Sequence, residues 1–123
     1  MNIPTLIAAA LMILTIFAHV LGGGPEIHEP IIASALPDAV RAVASVIWHA
    51  ITVILIVFAA ALIYMVKHPN RPMAILTIAV QLGFAGLFIF YGITRLGTLW
   101  PMPQWIIFML IPAVTYRGQL RKC

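Results

Sequence analysis

Charge is what this sequence has least of. Among 123 residues, 7 are Lys or Arg and 3 are Asp or Glu, so 8% carry charge, against about 25% in an average soluble domain. So few charged groups cannot clothe a water-facing surface, and 63% of the residues are hydrophobic. Lipid must cover the chain, and the length allows one membrane domain with no separate soluble module. Cysteine is nearly absent too. The single Cys123 stands at the last position, which excludes an intrachain disulfide and the disulfide-exchange enzymes that need cysteine pairs. It is not placed for prenylation, where the cysteine stands four from the end, and it reads as a free thiol.

The three acids, Glu26, Glu29 and Asp38, all fall between the first two apolar runs. No carboxylate therefore lies inside a span, which removes the group on which small multidrug exchangers and proton-driven pumps depend. No basic patch with interleaved aromatics lies outside the apolar segments, which excludes a nucleic-acid role. The net charge of +4 then reports orientation, because basic residues stay in cytoplasmic segments. No Lys or Arg precedes the first apolar run, so a retained span is expected there rather than a signal peptide. The two halves share no motif, which argues against a transporter built from inverted repeats.

What is present is a set of apolar runs, and about 20 such residues cross a bilayer at 1.5 Å each. Spans are expected at about 3–21, 38–67, 73–95 and 101–116, giving an all-α, up-down bundle of four transmembrane helices. Gly22, Gly23, Gly24 and Pro25 are expected to end the first helix and open a loop running to Pro37. Asp38 suits the start of the second helix. Pro69, Asn70 and Pro72 predict a tight turn before the third. Ala79, Gly83, Gly86 and Gly92 offer close approach to another helix. The fourth span is short, with Pro112 inside it and Trp100 and Trp105 at its outer end as an interfacial belt.

Lys67 and Arg71 flank the second turn, and Arg117, Arg121 and Lys122 form the tail. By the positive-inside rule these segments and both termini are cytoplasmic. The polar residues then gather on the outer side. Arg41, Ser45 and His49 are spaced i, i+4, i+8, one stripe of the second helix that Thr52 continues less closely. His49 lies inside the most apolar span, and an intramembrane ionisable residue is a functional candidate by default.

Four uses of these residues are open. His19, Glu26, His28 and His49 are metal or haem ligand types, though no HExxH or paired-cysteine motif accompanies them. His49, Arg41, Ser45, Gln81, Tyr91 and Arg95 are candidates for holding a small ligand or a lipid headgroup, with arginine suited to phosphate or carboxylate. A small transporter would have to titrate His49 alone. No nucleophile with an orienting partner stands out, so an enzyme is disfavoured. Against all of these, His49 can simply hydrogen-bond across helices, to Gln81 or Thr15 for instance. The leading expectation is a small multi-pass inner-membrane protein acting as a non-enzymatic component, a homo-oligomer or a subunit of a larger membrane complex.

Overall fold

The computed structural model describes residues 1–121; Lys122 and Cys123, read above as part of the basic tail and as a free thiol, lie outside the described residues. The described residues form helices, turns and loops with no strand. Three helices are long and apolar enough to cross a membrane: α1 (Ile3–Ile32), α2 (Asp38–Lys67) and α3 (Arg71–Leu96). The fourth, α4 (Gln104–Gln119), has 16 residues, about 24 Å at 1.5 Å each, which is less than the roughly 30 Å of a hydrocarbon core. The expected fourth span is therefore present as a helix but is too short to cross alone.

The expected loop after Leu21 is replaced by helix. α1 is α-helical over Ile3–Phe17, π-helical over Ala18–His28 and α-helical again over Glu29–Ile32. Glycine and proline end helices in water, where free backbone groups are solvated. Near a bilayer the cheapest partner for a backbone group is the chain itself. Pro25 sits inside the π-helical stretch, where the wider turn relieves the clash that a proline ring makes in an α-helix. The stretch closes with the Glu29 N–H donating to the Gly24 carbonyl, five residues back. α3 likewise ends in a π-helical turn, Gly92–Leu96, stopped by Gly97 in the left-handed region at φ 67°. Its end is thus a little later than expected, and α4 starts later too, at Gln104 instead of about 101, so the connection between them covers residues 97–103.

α2 packs on α1, α1 on α4, and α4 on α3. α2 and α3 share little surface although a short turn joins them, so the helices form an open row in the order α2, α1, α4, α3. The core fills one half of this row. Thr5, Ala8, Ala9 and Met12 of α1 meet Leu55, Phe58, Ala59 and Leu62 of α2, each set at helical spacing. Alanines on α1 let the backbones come close. Ala74, Thr77, Gln81 and Ala85 of α3 and Phe108, Ile111 and Thr115 of α4 complete it. The expected small-residue face of α3 is a different one: Ala79 is exposed, and nothing lies within 4 Å of a Cβ built on Gly83 or Gly86. By contrast no residue of α1 beyond Phe17, and none of α2 before Leu55, is buried.

Four polar residues tie the helices together at the core end. Asn2 caps α1 by accepting from the Thr5 N–H at 3.1 Å, while its own N–H donates to the Val66 carbonyl at 3.0 Å and its amide to Gly118. Gln119 donates to Thr5 Oγ1 at 2.9 Å and to the Met65 carbonyl at 3.0 Å, and accepts from the Asn70 N–H at 3.1 Å. Asn70 in turn caps α3 by accepting from the Met73 N–H at 3.0 Å. This clasp puts the N-terminus, the turn after Lys67 and the end of α4 beside one another. Each interhelical bond of this kind contributes around 0.6 kcal/mol in a membrane protein. Replacing Gln119 with Ala removes three of them, so a loss of about 2 kcal/mol is expected on unfolding by SDS in mixed micelles, and an unchanged midpoint would contradict the clasp.

Candidate functional site

The half of α1 and α2 away from the clasp gathers three of the four histidines around one tryptophan. His19 and His28 are nine positions apart. On an α-helix of 3.6 residues per turn they would lie on opposite faces. In the π-helical stretch, at roughly 4.4 residues per turn, nine positions make about two turns and bring both to one side. That side faces α2, and Trp48 enters the gap. Its indole stacks on His19 with ring centres 4.2 Å apart and planes 18° apart, and on His28 at 5.5 Å and 6°.

The hydroxyls on α2 show that the imidazoles lie on opposite sides of the indole. His19 Nε2 is 3.0 Å from Thr52 Oγ1, and His28 Nε2 is 3.1 Å from Ser45 Oγ; Thr52 and Ser45 flank Trp48 along the helix. Gly23 forms the floor of the slot, since a Cβ there would stand 2.8 Å from Trp48 Cη2. His49 meets His28 edge to face, with ring centres 5.2 Å apart and planes at 77°, and is itself exposed.

The two hydroxyls also have carbonyls of their own helix within reach. Ser45 Oγ donates to the Arg41 carbonyl at 3.1 Å, and Thr52 Oγ1 to the Trp48 carbonyl at 3.3 Å. A hydroxyl has one proton. When that proton goes to the carbonyl, the oxygen is free to accept from the imidazole, and the matching tautomer carries hydrogen on Nε2 with a lone pair on Nδ1.

The other candidates are placed elsewhere. Arg41 donates to the Ile32 carbonyl at 2.7 Å and pairs with Asp38, so it closes the turn between α1 and α2. Glu26 and Glu29 are exposed on α1. Gln81 is fully buried on α3, donating to the Thr77 carbonyl at 3.0 Å with its Oε1 unpartnered. Tyr91 and Arg95 are exposed near the end of α3. Because α2 and α3 share little surface, these three do not join the histidines. The bonds considered for His49 also differ: Gln81 binds its own helix, and Thr15 donates to the Leu11 carbonyl at 2.8 Å. No group of three or more His, Cys, Asp or Glu converges as a metal cage among the described residues.

Trp48 and Gly23 are the members that the spacing of polar residues did not single out. The available signals were a glycine triplet between two histidines and an indole between Ser45 and Thr52.

These features define an all-helical protein with three helices apolar enough to cross a membrane and an aromatic and imidazole cluster at the end away from the clasp. The chain matches no family model, no curated protein and no solved structure.

Two outcomes check this geometry. In a protein whose only tryptophan is Trp48, Gly23→Ala is expected to displace the indole and change its emission maximum and anisotropy; identical spectra would remove Gly23 from the slot. Gln81→Met replaces a half-satisfied buried amide with an apolar chain of similar length. It is expected to be neutral or stabilising by up to about 2 kcal/mol, measured by the same SDS unfolding, whereas a large loss would show that Oε1 has a partner.

Proposed function

We propose that this protein is a non-enzymatic component of the inner membrane that works as a homo-oligomer or as a subunit beside other membrane chains. All four helices belong to one up-down bundle, with α4 completing its crossing through the segment before Gln104, and both termini in the cytoplasm. The cytoplasmic side is the clasped end, which carries Lys67, Arg71 and Arg117. One observation carries the reading. Ala79, Gly83 and Gly86 lie at helical spacing on α3 and are turned away from the rest of the chain. Association of helices in lipid is driven by close packing at small residues, and here the small-residue face is left for another chain. The open row of helices supports the same reading, since α2 and α3 leave each other's flanks uncovered.

A Cβ added at Gly83 meets nothing within 4 Å, and Gly83 is exposed in its own chain. Gly83→Ile is therefore expected to keep the monomer's unfolding midpoint while abolishing the oligomer or the copurifying partner seen by native mass spectrometry. An assembly unaffected by Gly83→Ile, or a wild-type protein that is strictly monomeric without a partner, would overturn the proposal.

A further inference from the structure

We infer that His28 and His49 form a site for a late first-row divalent cation, of the zinc and copper class, at the outer edge of α1 and α2. The site is separate from the small-residue face of α3 and goes beyond the assembly role. Two imidazoles on one tetrahedral ion, with metal–nitrogen bonds of about 2.1 Å, have ring centres roughly 5 Å apart. His28 and His49 have theirs 5.2 Å apart.

The tautomer of His28 suits this use. Its Nε2 lies 3.1 Å from Ser45 Oγ, which can accept from it while donating to the Arg41 carbonyl. That tautomer leaves Nδ1 for an ion, and Ser45 orients the ring from behind, as metal-bound histidines usually are by a second hydrogen-bond partner. Ring rotation is further limited by the stack on Trp48. His49 is exposed, and its ring nitrogens make no hydrogen bond among the described residues. It can turn toward His28 at little cost.

Position also favours entry of an ion. α2 has 30 residues, about 45 Å, and fitting that length inside a core of roughly 30 Å would need a tilt near 48°, beyond the usual 0–40°. Counted from Lys67, the roughly 20 residues that cross the core end near Trp48. His49 and His28 then sit at the outer boundary, where hydrated ions arrive. Two protein nitrogens leave the remaining positions to water or small exchangeable ligands. Imidazole selects zinc, copper and nickel over magnesium and calcium.

The test uses the full chain in lipid nanodiscs with Trp100 and Trp105 replaced by Phe, titrated with Cu2+ alone and, in a second arm, with Zn2+ alone. The expected result is one ion per chain, with Trp48 emission quenched by Cu2+ in step with occupancy and nitrogen coordination in the electron paramagnetic resonance spectrum. His28→Ala and His49→Ala are each expected to weaken binding at least 10-fold, and Ser45→Ala about 10-fold, the usual range for loss of an outer-shell partner. His68→Ala, at the opposite end of α2, is expected to bind as the parent does. His49→Ala removes an exposed side chain, so its fold is retained even where His28→Ala unfolds. Absence of saturable binding, or binding that His49→Ala leaves unchanged, would overturn the proposal.

Discussion

The bundle depends on a small polar clasp at one end. Gln119 reaches α1, α2 and the start of α3 at once, with Asn2 and Asn70 supplying caps that also serve as partners. Apolar side chains gain little by leaving lipid for a protein interior, because both are equally dry. Directional bonds and close packing must then decide which helices meet. Four helix ends are drawn into one small volume, and this explains why the buried residues of α1 and α2 concentrate in the half nearest the clasp. Gly118 is part of the same arrangement: a Cβ there would stand 2.6 Å from Thr5 Oγ1, so only glycine lets α4 approach α1 closely enough.

Away from the clasp the structure follows a different rule. The later part of α1 gives up α-helical hydrogen bonding for a wider helix, a form seldom sustained for as many as 11 residues and often associated with functional sites. What the wider turn achieves is specific. It moves His28 from the far face of the helix to the near one, and leaves between His28 and His19 a gap that fits an indole above Gly23. Ser45 and Thr52 then hold the two imidazoles by the same device, a hydroxyl that also contacts a carbonyl of its own helix. The cluster is thus built from backbone geometry first and side-chain chemistry second.

This order explains how much was readable from the chain. The three helices apolar enough to cross a membrane, the second of them from Asp38 to Lys67, and the tight turn after it rest on composition and on local proline and charge signals, whereas the last helix runs on to Gln119, past the expected end at about 116. These signals act over a few residues and do not depend on partners. The loop expected after Leu21 failed because glycine and proline were weighed by their behaviour in water. The open face of α3 was readable as a set of small residues, but which small residues face inward was not. Ala74 and Ala85 pack while Gly83 and Gly86 do not, since that choice belongs to the helix lying alongside.

The candidate site divides in the same way. His19, His28, Ser45 and His49 were legible as polar residues on one side of an apolar chain. That Trp48 stands at their centre, that Arg41 closes a turn, and that Gln81, Tyr91 and Arg95 belong to a separate part of the molecule were decided only in three dimensions. Sequence by itself determined that the chain is helical and apolar enough to cross a membrane, because hydrophobicity and backbone hydrogen bonding are properties of each segment. Tertiary structure decided which histidine meets which ring, because helix phase depends on the local turn width and helix order on a few polar bonds between distant ends.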